Sequence, residues 1–240
     1  LAFGGLAVLS VAGFFGAYLA YRYHSGVELA FAAIAIMAHI WYLPIYMLDS
    51  LSKEWRHTAH LWLQLPHSGW SLLVAKLVSG IVWMLASFII TSLFTLWFVA
   101  VENLPSHLQL PWAEIWRYGG MAALMIFVSG LYMGFWAMLI SVSMASGKRF
   151  LKKGRWLIGL AVFLIATWGL GAFSHTEIHD FITHWGLFHI TITPPADNMN
   201  TMFHAPFQIP LYAGELFFNL FIAAAVFFLS GWLLDKKVEV

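Results

Sequence analysis

The 240 residues include no cysteine and few charges. The first absence excludes disulfides, thiol redox chemistry and cysteine-held iron–sulfur clusters. The second excludes an ordinary soluble domain. Asp, Glu, Lys and Arg make up 10% of the chain, where about a quarter is usual, and 61% is hydrophobic. A phosphate cradle is missing too: the sole Gly-Lys pair, Gly147–Lys148, is followed by Arg149 and lacks the upstream glycine of the P-loop spacing. The net charge of +1 gives no bulk attraction for a polyanion, and no nucleic-acid partner is expected.

What remains is apolar sequence in long runs, with a mean hydropathy of +0.80. Such runs are long enough to cross a hydrocarbon core of roughly 30 Å. Six spans are expected: Leu1 to Tyr21, Val27 to Leu48, Ser71 to Val101, Tyr118 to Ala145, Trp156 to Phe173, and Leu211 to Leu234. The fold class is an all-α membrane protein, and residues 1–240 form a single transmembrane domain. The chain opens without methionine, inside an apolar run that has no basic leader, so the first run reads as a span with a short piece missing before it. Within it Ala12, Gly16 and Ala20 recur every four residues, a spacing that lets another helix approach closely.

Basic residues orient the spans. Lys53, Arg56, Lys76, Lys148, Arg149, Lys152, Lys153, Arg155, Lys236 and Lys237 fall on one side, with only Arg22 and Arg117 on the other. That asymmetry places both termini in the cytoplasm. The stretch "GKRFLKKGR" reads as positive charge against anionic headgroups.

The loop between spans two and three is unusual. Placed on a helix, residues 51–65 put Leu51, Trp55, Ala59, Trp62 and Leu65 on one face, with Lys53, Arg56, His60 and Gln64 opposite. Ser52 is positioned to cap its start, and Pro66 with Gly69 ends it. Such a helix lies at the membrane interface, either as a plain anchor or as a docking element that carries a push into the spans fused to it.

Glu54 after the second span, the amphipathic helix, "LQLPHSGW" from Leu63 to Trp70, and Ala75–Lys76 together resemble the permease subunits of ABC-2 type ABC transporters. The six-span plan, the cytoplasmic termini and a long external segment before the last span extend the resemblance over nearly the whole chain. Ala75 departs from the glycine frequent in that family, and the interfacial helix that usually precedes the first span there would belong to the piece missing before Leu1. The resemblance implies that about 51–66 is a coupling helix seated in an ATPase subunit, with Lys53, Glu54, Arg56, His57, His60 and Gln64 facing that partner. It implies a pair of ATPase chains that bind ATP and Mg, a second permease chain in a homo- or heterodimer, and no cofactor or catalysis in this chain. A bacterial plasma membrane and export of an amphipathic or apolar substrate (peptide, drug or lipid) complete the expectation.

In the second span, His39, Tyr42, Tyr46 and Asp49 fall within about 80° of arc by the helical period. A mid-span histidine points to a cavity or pathway, or to a hydrogen bond with a neighbouring helix. Pro44 frees a carbonyl beside it. Spans two and five line the central route in the resembling family, which favours a substrate path for this stripe. Glu215 and Asn219, one turn apart in the last span, are a further path candidate or a hydrogen-bonded pair.

The external segment begins "SHTEIHDFITHWGLFH" at residue 174. Ser174 and Glu177 have capping-box spacing. Ile178, Phe181, Ile182, Trp185 and Phe188 share a helical face, with Asp180, Thr183 and His184 opposite. An interfacial helix is expected here, then a turn at "TPPADN". His175, His179, His184, His189 and His204 cluster in this segment, and His175/His179 have helical metal-ligand spacing. The acid of "HTEIH" sits at the wrong offset for a zinc protease, so interfacial histidines without metal are expected. The rival class is an integral membrane redox or metal-binding subunit using these histidines. A passive channel is a third, disfavoured by the lack of a filter-like loop or a ring of charges.

Overall fold

The structure, a computed structural model, describes residues 15–16, 27–57, 68–101, 112–147, 154–192 and 207–237. Among them α1 is Val27–Ala38, followed by a tight 3-10 turn at His39–Trp41, and α2 is Tyr42–His57. Then come α3 (Gly69–Val101), α4 (Trp112–Ser146), α5 (Arg155–Ser174), the short α6 (Glu177–Thr183), strands β1 (Leu187–Ile192) and β2 (Phe207–Tyr212), and α7 (Ala213–Lys237). Five stretches are long and apolar enough to cross a bilayer: Ala32–Trp55, Gly69–Trp97, Trp116–Ser146, Trp156–Ser174 and Ala213–Lys236. The chain is a mostly helical, multi-pass membrane protein. The remaining expected span, the first, Leu1 to Tyr21, lies outside the described residues apart from Phe15 and Gly16.

Hydroxyls inside these helices bond back to the carbonyl one turn earlier, as Thr91 does to Ser87, Thr95 to Thr91 and Ser230 to Val226. In hydrocarbon no water is available to take that role.

Contacts divide the chain into two units. In the first, residues up to Lys53 meet Ser71–Ala137. Its core is a file of side chains one turn apart on α2, Leu43, Met47 and Leu51, each fully buried, joined by Leu73, Met84 and Ile126. Leu43 is wedged between two glycines: a Cβ at Gly80 would lie 2.6 Å from its Cδ1, and one at Gly134 would lie 2.8 Å from its Cδ2. Small residues let helix backbones close up where hydrophobic force between helices is absent. Pro44 explains the 3-10 turn. With no N–H at 44, the Ile40 carbonyl has no helical donor, and the chain tightens just before it. A Cβ on Gly130 would sit 3.4 Å from the Ile40 carbonyl oxygen and 3.6 Å from that of His39, so α4 presents bare backbone there.

The second unit comprises Glu54–Trp70 and Met138–Val240. In it α4 packs on α5 through Gly159, whose position faces Met144 and Ile140. Phe173 of α5 stacks on Phe218 of α7, with ring centres 5.7 Å apart.

Two expectations change. The interfacial helix does not start at Ser52: α2 runs unbroken from Tyr42 to His57, so Ser52 is mid-helix, and residues 58–67 lie outside the described residues. Residues 45–57 contain neither proline nor glycine, so nothing in them breaks the helix at Ser52. Nor does one helix cover residues 174–189. The Thr176 hydroxyl, not Ser174, caps α6 by accepting from the His179 N–H at 3.3 Å, while Ser174 donates to the Gly171 carbonyl. Gly186, at φ 68°, turns the chain into β1, which pairs antiparallel with β2 from Leu187↔Tyr212 to Ile192↔Phe207. The last helix accordingly begins at Ala213, since Leu211 and Tyr212 belong to the ribbon.

Candidate functional site

The His39 stripe is built at the 3-10 turn. His39 is 2% exposed. Its Nδ1 lies 2.8 Å from the Ala35 carbonyl, which can only accept, so the proton sits on Nδ1. Nε2, 3.1 Å from Ser87 Oγ, accepts from that hydroxyl. The ring stacks on Tyr42 and meets Phe88 edge-on at 5.3 Å. Two turns on, the Tyr46 and Ser79 hydroxyls share a hydrogen bond of 3.0 Å. Asp49 accepts from Lys53 at 2.6 Å on the exposed side of α2. His39 and Tyr46 therefore both bind α3, Tyr42 stacks on His39, and Asp49 pairs with Lys53 on the exposed side instead. Ser79 and Ser87, eight residues apart on α3, are the partners that sequence reading missed; a pair of serines inside a long apolar run is the signal that could have found them. Ser87→Ala removes one inter-helix bond and leaves Nε2 without its donor. A loss of about 0.6–1.7 kcal/mol in folding stability is expected, read by reversible unfolding in bicelles. An unchanged stability would remove this bond from the joint between the 3-10 turn and α3.

A second site lies at the elbow where the chain enters α3. The Gly69 N–H donates to Asp235 Oδ1 of α7 at 2.6 Å. The Trp70 indole lies against the bare backbone of Gly231, where a Cβ would come within 2.6–2.8 Å of three of its carbons. It is flanked by Phe227 and Phe228 at 5.6 and 4.9 Å. The "GW" of the quoted motif is thus a lock between the start of α3 and the end of α7. On the other side of the loop, Leu51 and Trp55 are buried and Lys53 is exposed, so α2 keeps two faces as it ends. Arg56 and His57 belong to its backbone, while His60 and Gln64 lie outside the described residues.

The third region is the cap formed by α6 and the ribbon. Ala213 and Gly214 donate to the Gly186 and Trp185 carbonyls at 3.1 and 3.2 Å, and the Trp185 indole donates to the Ile182 carbonyl. Gly214 nestles against the Thr183 and Ile182 carbonyls, closer than any Cβ would allow. Thr183, expected on the face opposite the apolar residues, is buried. Ile178, Ile182, Trp185 and Phe188 are exposed, and Phe181 is 87% exposed. His179 is held edge-on between Phe173 and Phe218, at 5.6 and 5.4 Å. Its Nδ1 and that of His184 lie 3.6 and 3.5 Å from Asp180 Oδ1. His175 is exposed, and among the described residues no three His, Asp or Glu gather as metal ligands. His204 lies outside the described residues. Glu215 stands exposed in the first turn of α7, where the helix dipole favours an acid, and Asn219 follows one turn later. Comparison with family models, curated proteins and solved structures yields no match to this chain.

Proposed function

We propose that the chain is the membrane permease subunit of an ATP-driven exporter, similar to the ABC-2 type. A separate pair of ATPase chains binds and hydrolyses Mg-ATP, and a second permease chain completes the route. The elbow carries this reading. The end of α2 carries exposed Lys53, and where the chain is next described Gly69–Trp70 closes on Asp235 and Gly231 of the last helix. A loop that served only to join two spans has no need of a lock at its exit, whereas a loop pushed by a partner does, because force reaches the spans only through a stiff joint.

In this reading the ten basic residues of one side lie in the cytoplasm with both termini, in a bacterial plasma membrane. Lys53, Glu54, Arg56, His57, His60 and Gln64 meet the ATPase. Tyr42 of the first unit contacts an amphipathic or apolar cargo, as do, separately, Glu215 and Asn219 of the second, while His39 and Tyr46 fix the 3-10 turn and α2 against α3.

Charge reversal is the test. The triple variant Lys53→Glu, Glu54→Lys and Arg56→Glu is expected to release a copurifying ATPase and to abolish stimulation of its turnover. Retained helical content by circular dichroism would show that the spans persist. An ATPase that stays bound with full activity overturns the proposal.

A further inference from the structure

Beside His39, within the first unit, α3 and α4 enclose a cavity of about 260 Å³. Met84, Phe88, Ala123 and Phe127 form its wall, and Leu85 and Leu124, both exposed on the helix flanks, also line it, so it communicates with that flank. The wall is apolar apart from the His39 ring. Both nitrogens of that ring are already engaged, by Ala35 and Ser87, so the cavity offers a guest no hydrogen bond. A polar or charged guest would lose its own bonds to water without replacement.

Size narrows the guest further. Pockets for drug-sized molecules run from about 300 to 1,000 Å³, so this one takes a slender apolar piece rather than a whole amphipath. Depth identifies the source. The midpoints of Val27–His57, Gly69–Val101 and Trp112–Ser146 are Tyr42, Leu85 and Ser129. Every lining residue lies within six positions of the midpoint of its own helix run, about 9 Å along an axis that rises 1.5 Å per residue. At that depth of a hydrocarbon core roughly 30 Å thick, the medium outside the flank is acyl chain. A vacant cavity would forfeit the dispersion contacts of its lining, and the surrounding medium supplies a guest of matching chemistry at its mouth.

We propose that this cleft is a binding site for the acyl tail of a bilayer lipid, admitted sideways past Leu85 and Leu124. The inference needs only a chain that spans a bilayer and stands apart from the transport reading. Full-length protein in phosphatidylcholine nanodiscs, doped with a phosphatidylcholine bearing a diazirine near the end of one acyl chain, is irradiated and its adducts mapped. Adducts are expected on residues 84–88 and 123–127, several-fold above those on Phe163–Ile165, which are exposed at the middle of α5. Ala123→Phe fills the cleft and should bring the yield down to that control level, with Ala123→Leu falling between. Should the phenylalanine variant not fold, the leucine variant decides alone. A uniform yield, a yield untouched by these substitutions, or a second copy of the chain crosslinked in place of lipid would each overturn the proposal.

Discussion

Gly231→Leu is expected to unlock the elbow and destabilise the protein by about 1–3 kcal/mol or more, the usual cost of forcing bulk into a packed contact. The added Cβ would fall 2.6–2.8 Å from three carbons of the Trp70 ring, a distance no real pair keeps. An indole is rigid, so it must leave its seat as a body. Its departure strains the neighbouring bond from Gly69 N–H to Asp235, which is charge-assisted and short at 2.6 Å. For a chain of this size each kcal/mol moves the unfolding midpoint by about 2–4 °C. Gly169→Leu is the control, since nothing lies within 4 Å of a Cβ there. It should stay within about 0.5 kcal/mol of the parent. Adding Trp70→Ala to Gly231→Leu removes the clash, so the double variant should unfold at a higher temperature than the Gly231→Leu single. Equal midpoints for Gly231→Leu and Gly169→Leu would dissolve the lock. If the permease reading also holds, Gly231→Leu should keep the ATPase bound while lowering coupled transport, whereas the charge reversal on α2 should lose the ATPase itself. The two outcomes separate the grip from the lever.

Much of this was readable before any coordinates, for a physical reason. Spanning a bilayer demands long apolar helices, so the hydropathy of Ser71 to Val101 or Tyr118 to Ala145 carries its own answer. The helical period likewise placed His39, Tyr42 and Tyr46 on one face. Which helix that face meets is a property of the other helix, and Ser79 and Ser87 reveal themselves only once α3 is in place. The ribbon was hidden for a similar reason. Residues 187–192 read LFHITI, whose apolar–polar alternation and β-branched end suit a strand, yet Trp185 and Phe188 also continue the helical apolar face of Ile178 and Phe181. The distant partner FQIPLY settles the choice, together with Gly186 at positive φ. Pro210 lies opposite His189 in that partner, tolerable because both strands of a two-stranded ribbon are edges. The "GW" at the start of α3 was recognised as a motif, but its meaning sits on α7, more than 150 residues away.

Leu43→Ala should be the most damaging single truncation in the first unit, and the reasoning runs through the lipid reference state. In water, emptying a fully buried leucine site costs about 2–5 kcal/mol, part of it for transfer of the side chain from water. Within a bilayer that part fades, because lipid tails are as apolar as leucine, and what remains is lost packing. Leu43 has much to lose, being fully buried and clasped by Gly80 and Gly134 at once. A loss of about 2–3 kcal/mol is therefore expected, toward the lower end of the soluble range. Gly134→Leu attacks the same contact from the other side, since its Cβ would lie 2.8–2.9 Å from the Leu43 Cδ2 and Cγ. Alone it should cost about 1–3 kcal/mol by overpacking. Combined, Leu43→Ala and Gly134→Leu return the volume to the site from α4. The double variant should then be more stable than the sum of the two losses by about 0.5–3 kcal/mol, the coupling typical of touching residues. Strict additivity, measured by reversible unfolding in bicelles, would mean that α2 and α4 do not meet here. It would also remove the close packing that holds the 3-10 turn, and with it His39, against Ser87.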